Sequence, residues 1–144
     1  MQSCTRSFRS RTLPQPDQPP TYSGSLLVRD SRRDRFIGFA GAYRILIHGA
    51  STTYNTTTWS LDLADTLQPW RRLPSATGSP ALESGSAVYD SISDKVFVFG
   101  GWRARDNAIP LIGWNRSLQV LSLAADGAWQ SIPIPPEGPP ALEG

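Results

Sequence analysis

The side chains with most to offer chemically lie in one stretch, Trp102-Arg103-Ala104-Arg105-Asp106-Asn107, followed closely by Trp114, Asn115 and Arg116. Arginine and tryptophan in this mixture suit recognition rather than bond-making, because they combine directional donors with large contact area and are enriched at binding hot spots. Reactive side chains are scarce by comparison. The single cysteine, Cys4, cannot form an internal disulfide, and with the single histidine, His48, it cannot complete an ordinary zinc set. There is no glycine-rich phosphate loop, no Gly-x-Ser-x-Gly elbow and no His-Glu-x-x-His, so phosphoryl transfer, the common serine hydrolases and the zincins have no support. His48 reads as a strand or loop histidine with a local hydrogen bond. The expectation is a chain that is not an enzyme and holds no cofactor and no metal.

Composition sets the frame for these residues. The chain has 144 residues, 39% hydrophobic and 18% charged, which is ordinary for about one soluble domain. Thirteen prolines and twelve glycines punctuate it too often for long helices. The formal charge is +2, yet the first 35 residues carry +4 and the remainder −2, so no basic face runs through the fold. Arg32-Arg33-Asp34-Arg35 therefore reads as a solvated turn rather than a nucleic-acid contact. No stretch approaches the length of a membrane span, and the start lacks the apolar core of a secretory signal. The expectation is a cytoplasmic chain with neither nucleic-acid nor membrane partners, its first twelve residues sharing the Arg- and Ser-rich composition of a transit peptide or of a disordered tail.

The elements that must position the arginines and tryptophans repeat. Ser23-Gly24-Ser25, Asp30, Asp34 and Phe39 recur sixty residues later as Ser84-Gly85-Ser86 (shifted by one), Asp90, Asp94 and Phe99. Asn55 matches Asn115 and Leu61-Asp62-Leu63 matches Leu121-Ser122-Leu123 at the same spacing, while Trp70 matches Trp129 at 59. Residues 78–83 recur as 138–143. The chain divides into a disordered Arg/Ser/Pro-rich tail at 1–20, one unit at 21–78, a second at 79–137, and at 138–144 the lead-in to a third.

Each unit is patterned as strands, with short runs of Val, Ile, Phe and Tyr between Asp, Ser, Gly and Pro. Strands are expected at 25–28, 36–40, 59–63 and 70–73, and again at 86–89, 96–99, 118–123 and 129–132, forming a four-stranded antiparallel meander per unit. A second register is open in the first unit: Ile45-Leu46-Ile47-His48-Gly49-Ala50 would itself be its second strand. Either way the segment between strands two and three is long in both units.

Gly100-Gly101 closes its strand where glycine lets the chain leave the sheet, with Gly41 in the matching place, and Trp70 and Trp129 open the fourth strands with large packing surfaces. Val96-Phe97-Val98-Phe99-Gly100-Gly101, then Leu121-Ser122-Leu123, then Trp129 resemble the kelch repeat, the blade of a β-propeller family that includes the galactose oxidase central domain. The resemblance spans roughly 21–144 and is weaker in the first unit, where Ala40-Gly41 replaces the glycine pair.

The resemblance implies an all-β chain of two kelch-like propeller blades, an incomplete propeller, since propellers close with roughly four to eight. It is expected to be a fragment of a longer propeller or to assemble with further copies. In an antiparallel blade the loop between strands two and three and the lead-in to the next blade emerge at one end. That end gathers Trp102, Arg103, Arg105, Asp106, Trp114 and Arg116 with Glu83, and in kelch propellers it commonly carries partner-binding residues, so another protein is the expected partner. An accessory fragment of a secreted galactose oxidase-like or carbohydrate-binding propeller is the alternative. Asn55 and Asn115 each satisfy the N-glycosylation acceptor pattern, although asparagine also favours turns.

Overall fold

The computed structural model describes residues 19–20, 22–45, 51–64, 70–74, 76, 78–103, 113–124 and 127–135. Residues 1–18, which make up most of the expected tail, and the expected lead-in at 138–144 lie outside them, as do Cys4 and His48. The β-branched and aromatic runs fold as strands. The first unit contains β1 (Leu26–Asp30), β2 (Arg35–Phe39), β3 (Ala42–Ile45), β4 (Ser51–Tyr54), β5 (Trp59–Asp62) and β6 (Trp70–Arg72). The second contains β7 (Ser86–Asp90), β8 (Lys95–Phe99), β9 (Trp102–Arg103), β10 (Gly113–Trp114), β11 (Ser117–Ser122) and β12 (Trp129–Pro133).

The fold is all-β, with two four-stranded antiparallel sheets, β1-β2-β5-β6 and β7-β8-β11-β12, and two small hairpins, β3-β4 and β9-β10. Among the described residues no helix is long and apolar enough to cross a membrane. Registers repeat with the sequence. Val28 opposes Ile37, which opposes Ser60, and sixty residues on Val88 opposes Phe97, which opposes Val120. The fourth strand joins one residue early in the second unit, with Leu61 opposite Trp70 and Leu121 opposite Trp129.

The second register open at 45–50 is overturned. Strand two of the first sheet is β2, bonded to β1 and β5, while Ala42–Ile45 pairs with Ser51–Tyr54 in a separate hairpin. The cause is local backbone geometry at the strand end. Gly100 and Gly101 take φ of 71° and 85°, and Ala40 and Gly41 take 57° and 91°, so both units turn out of the sheet at this point whether or not the first residue is glycine. A side chain at Gly101 would press on the Glu83 carbonyl oxygen at 3.0 Å and Leu82 Cδ1 at 3.1 Å. Gly101→Ala is expected to cost roughly 1–2 kcal/mol from the left-handed backbone alone, read as a lowered urea midpoint with unchanged slope; a change within error of zero would show that the turn is not what ends the strand.

The turns between first and second strands also match. The Asp30 carboxylate accepts the backbone N–H of Arg32 at 3.1 Å and of Arg33 at 3.2 Å, and Asp90 accepts those of Ile92 at 2.9 Å and Ser93 at 3.3 Å. Aspartate suits both places because its short side chain mimics a backbone turn.

The core lies between the sheets. Val28, Ile37 and Phe39 on one face of the first meet Val96, Val98 and Leu121 on one face of the second, and burial of each such side chain contributes roughly 1.5–3 kcal/mol. Trp129 reaches across so that its ring centroid sits 4.9 Å from that of Phe39, and its indole N–H donates to Thr58 Oγ1 at 2.9 Å. The turn expected to be merely solvated is also part of this seam. Arg33 donates from Nη1 to Asp94 Oδ1 at 2.8 Å and from Nη2 to Asp94 Oδ2 at 2.6 Å, with further bonds to Asp30 and to the Leu123 carbonyl.

Candidate functional site

The segment between the two units is stitched to both hairpins. Ser23 bridges Ala42, and sixty residues on Glu83 bridges Trp102. The Gly41 N–H donates to the Leu82 carbonyl at 2.8 Å and the Ser84 N–H to the Gly24 carbonyl at 3.0 Å. Ser79 Oγ accepts the Ala40 N–H at 3.1 Å. These bonds tie Ser79 and Leu82 to the strand exit of the first unit at Ala40 and Gly41, while Glu83 ties the same segment to Trp102 of β9.

The result is an open groove of about 600 Å³, walled by residues 78–82 on one side and by Arg103, Trp114 and Arg116 on the other, with Gln119 and Ser131 contributing from β11 and β12. Connectivity thus brings together the lead-in and the hairpin, as the antiparallel meander requires. Trp114 is 38% exposed. Arg103 and Arg116 are the cations of the groove, and none of its described lining residues is acidic. The Arg103 Nε is buried with no hydrogen-bond partner among the described residues.

The other residues expected on this face separate from it. Glu83 is buried, its carboxylate 3.4 Å from Ser23 Oγ, and belongs to the seam between the two lead-ins. Trp102 packs with Ala81 against Ala42 and Tyr54. Adjacent strand residues point to opposite sides, so Arg103 can line the groove only while Trp102 turns inward. Arg105 and Asp106 lie outside the described residues.

Asn55 and Asn115 are turn formers. Asn55 is buried and its Oδ1 accepts the Thr57 N–H at 3.0 Å. Asn115 donates from Nδ2 to the Gly100 carbonyl at 3.2 Å and the Ser117 carbonyl at 2.9 Å, the nitrogen that a glycan would occupy. Gly41, Gly100 and Gly101 lie at strand exits, Trp129 lies between the sheets, and Trp70 lies beside Gly38.

A second charged cluster is built from the turn that the sequence presents as solvated, Arg32-Arg33-Asp34-Arg35, together with Asp30 and Asp94. Asp30, fully buried, receives Arg35 Nε at 2.9 Å and Arg33 Nη1 at 3.1 Å. Its burial alone would raise its pKa, but the hydrogen bonds from Arg35 and Arg33 outweigh that and hold it below the usual carboxylate value. Asp94 takes the Arg33 fork and the Tyr89 hydroxyl at 2.9 Å. Every charge here is satisfied by another, which is the arrangement of a clasp rather than of a reactive centre. Among the described residues no group of three or more His, Cys, Asp or Glu side chains is placed to hold a metal ion.

No protein-family profile matches the chain, and no curated protein matches it.

Proposed function

We propose that the chain is a non-catalytic protein-interaction module built of two kelch-like propeller blades, and that it receives an acidic segment of its partner in the groove between residues 78–82 and the β9-β10 hairpin. The observation that carries this reading is the pairing of Arg103 and Arg116 with a part-exposed Trp114, with no acidic side chain among the described lining residues. A carboxylate is the natural complement of a guanidinium, which binds it through parallel donors, and Trp114 offers a face for the apolar part of the same segment. The strand order, the glycine-closed second strands and the tryptophan-led fourth strands support the kelch-like reading.

The test is a titration with a short Asp/Glu-rich peptide, a Lys/Arg-rich peptide of the same length and a neutral oligosaccharide, followed by tryptophan fluorescence. The acidic peptide is expected to bind alone, with affinity falling as salt rises. Arg116→Glu should weaken it by roughly tenfold or more, the loss typical of truncating or reversing a hot-spot contact. Binding of the basic peptide, or of the acidic one undiminished by Arg116→Glu, would sink the reading. Binding of the oligosaccharide alone would favour the carbohydrate-binding alternative, for which Trp114 would be the stacking surface.

A further inference from the structure

The contact between the two sheets is head-to-tail. The first sheet offers the face carrying Val28, Ile37 and Phe39, and the second offers its opposite face, carrying Ala87, Val96, Val98 and Leu121. Because the units repeat at sixty residues, each half of this contact recurs on an outer face of the two-sheet stack. The counterpart of the first sheet's buried face is the outer face of the second, with Val88, Phe97 and Phe99 where the buried face has Val28, Ile37 and Phe39. The counterpart of the second sheet's buried face is the outer face of the first, with Leu27, Phe36 and Leu61. Val28 is 6% exposed and its equivalent Val88 61%, while Leu27, the equivalent of part-buried Ala87, is 54% exposed.

We propose that these two faces bind each other between copies of this chain, the outer face of β7-β8 of one copy docking on the outer face of β1-β2 of the next as β1-β2 docks on β7-β8 within the chain. The occupant is a second copy because these two faces, left exposed at Leu27 and Val88 by the described residues, are the two halves of a contact that the molecule already makes once. A contact between unlike faces propagates and closes into a ring where its rotation permits. This inference is independent of the groove and of what the groove binds. Polar groups of the internal seam are only partly repeated. Position 93 is serine where Arg33 stands in the first unit, and Asp34 is already paired with Arg29 at 2.8 Å. The contact between copies is therefore carried by apolar surface.

The experiment is sedimentation velocity on the full chain across a wide range of concentration, with circular dichroism to confirm strand content. The wild type is expected to rise from the mass of one chain, 15.7 kDa, to defined multiples. Leu27→Lys and Val88→Lys alter exposed positions, where folding is tolerant of substitution, and each is expected to remain monomeric alone. Mixed in equal amounts they should form a one-to-one dimer that grows no further, because one keeps an intact β7-β8 face and the other an intact β1-β2 face. Ile132→Lys, on the same outer face of the second sheet, serves in place of Val88→Lys if that variant fails to fold. A folded wild type that remains monomeric throughout, a Leu27→Lys variant that still dimerises with itself, or a mixture that does not associate would each overturn the proposal.

Discussion

Replacing Arg33 with methionine should lower the stability of the chain by about 2–3 kcal/mol, read as a fall in the urea midpoint at constant slope. Methionine keeps most of the aliphatic stem and removes the guanidinium, with its charge and its donors. What remains is Asp94, 6% exposed, with the Tyr89 hydroxyl at 2.9 Å and a distant Arg32 at 3.8 Å as its closest compensation. Removing one partner of a buried pair costs about 3–5 kcal/mol because the other charge stays desolvated, and the expectation is set lower because the Arg33 side chain is 36% exposed. Arg29→Met provides the contrast. Its pair with Asp34 is as short, 2.8 Å, but both side chains are more than half exposed, so a change of about 0–1 kcal/mol is expected. Equal effects at the two positions would refute the clasp.

The pH dependence follows from the same cluster. The Arg33 hydrogen bonds hold the Asp94 carboxyl down at about 2 against an ordinary 3.8, with burial opposing them and the Tyr89 hydroxyl assisting. A carboxyl whose folded pKa is depressed contributes its full stability above the unfolded value and loses it as pH falls. The wild type should thus weaken between pH 3.8 and about 2. Tyr89 moves the other way, raised from 10.0 to about 12 by burial and by the adjacent Asp94, so its contribution is complete below pH 10.0 and fades as pH climbs towards 12. In Arg33→Met the acid limb should flatten, and the gap between variant and wild type should shrink below pH 3.8.

Arg33 also shows where sequence reading stops. The sixty-residue spacing exposed the strands, the paired turns at Asp30 and Asp90 and the early tryptophan at 129, because each of these has a twin. Arg33 has none, since serine stands at 93, and its partner lies 61 residues away across a sheet boundary. In the sequence it belongs to a run of charges, Arg32-Arg33-Asp34-Arg35, that reads as a solvated turn. Ala40 is the reverse case: a departure from the glycine pair that suggested a weaker unit, yet the backbone takes φ of 57° there, much as Gly100 takes 71°. For the groove, antiparallel connectivity was enough to bring the lead-in and the hairpin to one end. It could not say which of two neighbouring side chains faces out, since a strand alternates, and so Trp102 and Glu83 were grouped with residues from which they turn away.

Trp129→Ala is expected to cost about 3 kcal/mol, the lower end for removing a large aromatic side chain because the indole is only part-buried. Two separable contributions are lost. The ring leaves Phe39, itself 1% exposed, without its neighbour at 4.9 Å, and Thr58 Oγ1 loses the indole donor at 2.9 Å while keeping its own bond to the Ala76 carbonyl at 3.1 Å. Trp129→Phe retains a ring and discards the donor, so it should recover more than half of the loss. A cycle with Thr58→Val should return a coupling of about 1 kcal/mol for the hydrogen bond. Trp70 supplies the internal control, since it holds the same place in the first unit but lies on the outer face of its sheet, with ring carbons 3.6 Å and 3.7 Å from where a Cβ on Gly38 would be. With no second sheet among the described residues against that face, Trp70→Ala should cost roughly 1 kcal/mol in the monomer, as apolar area that was never fully withdrawn from water returns little. Equal losses for the two tryptophans in dilute, monomeric protein would mean that Trp129 acts within its sheet and not as the joint between the two.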